Sequence, residues 1–147
     1  MADTEAALVG GLVGGALIIV VIIALIIGLL SIIAMWKIFT KAGEAGWKSI
    51  IPIYNIYTYC KIVGLNFWIW ILLIPIVIGV ITAFINSEDI SSSIASIYGL
   101  VVEIVFAIRL GKAFDKGTGF KIGLVLLPNI FQLVLAFDSS KYVGIQK

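Results

Sequence analysis

Residues 8–36 read LVGGLVGGALIIVVIIALIIGLLSIIAMW, 29 consecutive positions without a charged side chain. A membrane-spanning helix needs about 20 apolar residues at about 1.5 Å each, so this run crosses a bilayer with length left to tilt or project. Asp3 and Glu5 precede it, and no cation does. A secretory signal peptide has a positive start, a shorter apolar core and a small-residue cleavage site. The run therefore reads as a retained helix.

The rest of the chain has the same character. Of its 147 residues, 62% are hydrophobic and 12% charged, with a mean hydropathy of +1.21. Soluble domains are about 45–50% apolar and about a quarter charged, so hydrocarbon is the expected main solvent. The net charge of +2 gives no support for nucleic-acid binding. There is no His, and Cys60 is the only Cys. That removes disulfide frameworks, His-based catalysis and nearly every zinc, haem or iron–sulfur site, and no cofactor is expected.

Three further apolar runs follow. Ile62–Ile85 is uncharged throughout, Ile90–Leu110 is interrupted by Glu103, and Ile122–Phe137 contains Pro128. The expected fold is all-α: a single polytopic membrane domain, 1–147, with spans at 8–36, 62–85, 90–110 and 122–137. The last run has only 16 residues, which leaves a re-entrant segment open for it. Lys37, Lys41, Lys48 and Lys61 separate the first two runs, and Arg109, Lys112, Lys116 and Lys121 separate the last two. Cations concentrate on the cytoplasmic side, so loops 37–61 and 111–121 are placed inside, with the N-terminus outside in a bacterial cytoplasmic membrane. Four spans also put the C-terminus outside, where Lys141 and Lys147 run against the rule. Trp36, Trp47, Trp68 and Trp70 fall near the inner boundary, as an aromatic belt requires. Ile50–Cys60, with Pro52 inside it, reads as a short interfacial segment whose proline sits in a turn or first helical turn.

The two basic loops echo each other. Lys37-Ile-Phe39-Thr-Lys41 recurs as Lys112-Ala-Phe114-Asp-Lys116; glycines and an aromatic follow (Trp47, Phe120), then Pro52 or Pro128, then Tyr54 or Phe131. Internal duplication and convergence on the same boundary chemistry both account for this.

The block Trp36-Lys37-x-Phe39-x-Lys41-Ala42-Gly43-x-x-Gly46-Trp47, continued by Ile51-Pro52-x-Tyr54-Asn55-x-Tyr57, resembles the signature of an uncharacterised bacterial membrane-protein family of unknown function. Lys112 to Leu124, with Pro128, Ile130 and Phe131, is similar to its C-terminal half, so the resemblance covers about Met35 to Phe137. Asp115 stands where the pattern expects Gly. Members are often machine-labelled as signal peptidases, but the resemblance implies no activity. A Ser–Lys peptidase needs an outer serine nucleophile beside a buried lysine within a catalytic domain. Ser87 and Ser91 to Ser93 have no such surroundings, and Lys48 and Ser49 lie on the inner side. The expectation is not an enzyme.

Three residue sets remain as functional candidates. Ala7, Gly10, Gly14, Leu17, Val21, Ala24, Gly28 and Ser31 follow one another at steps of 3 and 4, and Gly10, Gly14, Ala24 and Gly28 form a small-residue seam on this face of the first helix, suited to close helix–helix approach. This leads to the main functional expectation: association as a homo-oligomer or as an accessory subunit of a membrane complex. Glu103, with Ser96 on its own span, Thr82 on the second, and Asn129 and Gln132 on the fourth, forms intramembrane polar stripes. They serve either as an interhelical clasp or as the pathway of a small oligomeric channel or transporter. Lys37, Lys41, Lys48, Lys112 and Lys116 are candidates for lipid headgroups.

Overall fold

The computed structural model describes residues 2–85 and 88–145, and it is all-helical. The elements are α1 (Ala2–Lys41), a 3₁₀ turn (Gly46–Ser49), α2 (Pro52–Ile62), a π-helical segment (Trp68–Leu73) running into α3 (Ile74–Ile85), α4 (Glu88–Ala113), α5 (Thr118–Leu126) and α6 (Pro128–Phe137). Ser87 and Lys147, named in the sequence reading, lie outside the described residues, as do the side chains of Asp3 and Ala7. Two helices, over Val13–Lys41 and Glu88–Ala113, are long and apolar enough to cross a membrane. The apolar stretches Trp68–Phe84 and Pro128–Phe137 are shorter.

Left-handed residues close three of the helices. Gly43 (φ 79°) ends α1, with the Glu44 N–H on the Phe39 carbonyl at 2.9 Å. Gly64 (φ 65°) ends α2, with the Leu65 N–H on the Cys60 carbonyl at 2.8 Å. Asp115 (φ 51°) ends α4, with the Lys116 N–H on the Gly111 carbonyl at 2.8 Å. These long-reach bonds satisfy carbonyls that a helix end leaves orphaned. Asp is one of the few residues besides Gly that enters this conformation readily, so the turn forms at the position where the family pattern has Gly.

The Gly64 closure corrects the expected span 62–85. The run is not one helix: α2 ends at Ile62, and Asn66 starts the next by accepting the Trp68 N–H at 3.0 Å. Pro52 opens α2 at its first turn, where a missing N–H does no harm.

The largest departure is at 122–137, where no uninterrupted helix exists. Leu127 (φ −138°, ψ 64°) breaks the chain between α5 and α6, and Pro128 carries no N–H to restore the ladder. The Phe120 and Phe131 rings meet edge to face at 5.2 Å. Eleven residues along a continuous helix would separate them by about 16 Å. So α6 folds back over α5, and Gly123 allows it: a Cβ there would run into the Phe131 ring.

Both ends of this hairpin consequently lie on one face. Thr118 follows directly on α4, and the end of α6 is held to the end of α1, where Lys41 Nζ donates to the Leu135 and Asp138 carbonyls at 2.6 and 2.7 Å. The last residues continue along the same face, with the Val143 N–H on the Ala113 carbonyl (2.9 Å) and the Tyr142 hydroxyl on the Ile62 carbonyl (3.1 Å). Residues 138–145 thus sit beside the two basic loops, not opposite them as four crossings require.

The core gathers at this basic end. Ile38 and Phe39 of α1, Cys60 of α2, Leu110 of α4, Phe114, Leu124 of α5 and Leu135 of α6 are all buried. Phe39 and Phe114 are the central members of the two Lys-x-Phe-x-Lys blocks, and both are enclosed. The other two thirds of α1 make no such core; Val13 to Ile33 is exposed almost throughout.

Candidate functional site

Ion pairs organise the basic end. The Asp138 carboxylate receives Lys41 at 3.0 Å, Lys116, and the Ser140 N–H at 3.0 Å and hydroxyl. Partial burial pushes the Asp138 carboxyl upward, but the hydrogen bonds from Lys116, Ser140 and Lys41 outweigh it and hold it well below the usual carboxylate range. Glu44 takes Lys48 and Lys61 at 2.6 Å each, and these bonds lower its carboxyl too. Lys41 and Lys116, the matching residues of the two repeated blocks, therefore converge on one carboxylate.

This changes the set of lysines proposed for lipid headgroups. Lys41, Lys48 and Lys116 are engaged by carboxylates within the chain, because the fold-back of α6 delivers Asp138 to two of them. Lys37 lies over the Phe137 ring at 3.8 Å from its centroid. Lys112 remains exposed without a carboxylate partner among the described residues.

A cavity of about 400 Å³ opens between α2, α4 and α6. α4 contributes Gly99, Val102, Glu103, Phe106 and Ala107; α2 contributes Asn55, Ile56 and Tyr59; α6 contributes Pro128 and Gln132. Ile71 and Leu124 complete an otherwise apolar lining. The spacing of Gly99, Glu103 and Ala107 at steps of 4 puts them on one face of α4, and that face looks into the groove. α2 and α6 both open with a proline and flank the groove, and each carries an aromatic paired with the segment before its proline. Tyr54 meets Trp47 at 5.7 Å, as Phe131 meets Phe120.

Of the five expected intramembrane polar residues, the structure brings together only Glu103 and Gln132. Ser96 and Thr82 bond to carbonyls of their own helices, Ser92 at 2.8 Å and Gly79 at 3.1 Å, so neither needs a partner across the bundle. Asn129 faces α1, in a second cavity of about 330 Å³ with Ile27, Leu30 and Ser31. Glu103 itself makes no hydrogen bond or ion pair among the described residues, so the expected interhelical clasp does not form within one chain. Arg109, six residues further on, donates instead to the Gly64 carbonyl at 3.1 Å. Asn55 and Tyr59 were not singled out by the sequence because they belong to a segment read as interfacial. The only signal for Asn55 was membership of the first signature block, and Tyr59 lies two residues beyond that block.

The seam on α1 is bare. A Cβ added at Gly10, Gly14 or Gly28 would meet nothing within 4 Å, and Ala24 is exposed. The serines of the peptidase label are held locally: Ser92 and Ser93 both donate to the Asp89 carbonyl, at 2.9 and 2.8 Å. Lys48 is paired with Glu44, and Ser49 is buried.

Residues 47–145, about two thirds of the chain, match the model of a family described as Family of unknown function (DUF5684). The chain belongs to that family. The match starts later than the resemblance read from Met35 and runs on past Phe137 to Ile145, so it includes the C-terminal residues that pack against α4 and α2 and leaves out α1. No curated protein and no solved structure matches the chain.

Proposed function

We propose that this is a non-enzymatic integral membrane protein that acts through helix–helix association, with a second copy of itself or within a larger membrane complex. The observation that carries the reading is the unpartnered seam of α1. Small residues at Gly10, Gly14, Ala24 and Gly28 line one stripe of a helix that is exposed almost throughout from Val13 to Ile26. At 40 residues α1 is about 60 Å long, twice the hydrocarbon thickness of about 30 Å. Small residues allow close backbone approach where lipid supplies no hydrophobic drive.

The same reading treats 1–147 as one domain in the bacterial cytoplasmic membrane. α1, the π-segment with α3, and α4 cross it; the N-terminus is outside. The 3₁₀ turn with α2, and the α5–α6 hairpin, enter from the cytoplasmic side and return. Every Lys and Arg among the described residues then falls on the inner face or in its boundary, which is the distribution that the charge rule favours.

The test is assembly. Gly14→Leu and Gly28→Leu cannot clash within the chain, since both positions are open, so a loss of assembly on native gels reports contact with another helix. Leu29→Phe serves as the control. Unchanged assembly in both glycine variants refutes the seam. A second reading, a small oligomeric channel or transporter, is favoured by Glu103 and Gln132 sharing one groove. It requires Glu103→Gln to abolish cation or proton flux in proteoliposomes while assembly stays intact.

A further inference from the structure

We propose that the groove between α2, α4 and α6 binds a lipophilic monocation, an amine or quaternary ammonium on an apolar body, with Glu103 as its counter-charge. The first ground is the position of the carboxylate. Glu103 lies ten residues from the Ala113 end of α4 and fifteen from the Glu88 end, about 15 and 22 Å along the axis. A carboxylate at that depth is costly and is retained where it meets a partner or a path. Among the described residues no cation pairs with it: Lys41 and Lys116 hold Asp138, Lys48 and Lys61 hold Glu44, Arg109 is on Gly64, and no Lys or Arg lines its groove. The partner is therefore external.

The second ground is the chemistry of the walls. Asn55 uses its amide nitrogen on the Ser49 carbonyl at 2.9 Å, which leaves its oxygen as an acceptor. Tyr59 and Phe106, two aromatic rings 5.1 Å apart and tilted by 37°, line the same groove as Glu103. No Lys or Arg lines the groove. Carboxylate, amide oxygen and ring faces all attract positive charge, and aromatic rings suit weakly hydrated ammonium groups best. The third ground is size. A cavity of about 400 Å³ with Ile56, Val102 and Leu124 in its lining accommodates a small organic molecule, and an inorganic ion would leave those apolar walls unused.

The experiment uses the full chain in phosphatidylcholine nanodiscs with tritiated tetraphenylphosphonium as the probe. Saturable binding above that of empty nanodiscs is expected, displaced by dodecyltrimethylammonium but not by dodecanol or tetraphenylborate. Glu103→Gln, near-isosteric at an exposed position, should weaken binding at least tenfold without altering the elution profile. Val102→Trp, which fills the groove and keeps the charge, should do the same, and Lys112→Gln should change nothing. Binding no greater than in empty nanodiscs, or equal in the wild type and Glu103→Gln, overturns the proposal. So does displacement by tetraphenylborate, which would mark a merely greasy site, or by sodium at equal concentration, which would mark a bare-ion site. None of these readouts depends on assembly through α1.

Discussion

Asp138→Asn isolates the contact that fixes the end of the α5–α6 hairpin. The carboxylate holds Lys41 from α1, Lys116 from the loop after α4, and Ser140. Substitution leaves two ammonium groups, each only about one fifth exposed, facing a neutral amide. Exposed ion pairs contribute about 0–1 kcal/mol, and breaking a fully buried one costs about 3–5 kcal/mol. A site this accessible falls between, so a loss of about 2 kcal/mol is expected. For a chain of this length that is roughly 4–8 °C in Tm. The pH dependence carries a sign. The Asp138 carboxyl is held below its ordinary value of 3.8 in the folded chain, so its stabilisation is present above that value and is lost as pH falls through and below it. Thermal unfolding in mild detergent should therefore show a gap between wild type and Asp138→Asn that is full at pH 7 and starts to narrow only as pH falls below about 4. Lys41 keeps its bonds to the Leu135 and Asp138 carbonyls, so the variant should still fold. An equal Tm at pH 7, or a gap that does not narrow at all between pH 5 and pH 2, would refute the reasoning.

Topology is checked with single cysteines at Ser140, Gly119 and Ser92 in a Cys60→Ala background, Cys60 being buried. Ser140 and Gly119 should be labelled by a membrane-impermeant maleimide from one side and Ser92 from the other; labelling of Ser140 together with Ser92 would restore four crossings. At the α4 closure, Asp115→Gly should keep or raise stability by up to about 1 kcal/mol, whereas Asp115→Val should lower it by roughly 1–2 kcal/mol, because a β-branched residue resists positive φ. Denaturation by sodium dodecyl sulfate would rank the two, and an equal effect would mean the turn is not left-handed. Gly123→Leu should destabilise by about 1–3 kcal/mol by driving the Phe131 ring off α5, while Gly117→Ala, with nothing near its Cβ, should be nearly silent; a silent Gly123→Leu would rule out the fold-back.

Helical class and family were legible in the sequence, as were two helices long and apolar enough to cross a membrane. Hydropathy is a sum over neighbouring residues, so the run from Leu8 to Trp36 and the unbroken helix α1 follow from local composition. Pro52 at a first helical turn was legible for the same reason, since it depends on a few adjacent dihedral angles, whereas Asp115 was legible only as a departure from Gly, and the structure shows that it keeps the left-handed turn. The small-residue seam was visible as a spacing, but only the packing showed that nothing among the described residues covers its glycines. Direction was not local. Whether Ile122–Phe137 crosses or turns back depends on the Phe131 ring finding Gly123 and on Lys41 finding a carboxylate 97 residues away. The same fold-back turned Gln132 towards Glu103 and Asn129 towards α1, two outcomes for residues one helical turn apart. Sequence spacing fixes which residues share a face of one helix; which faces meet is settled only when distant elements pack, because that choice is made by contacts between residues that no local pattern relates.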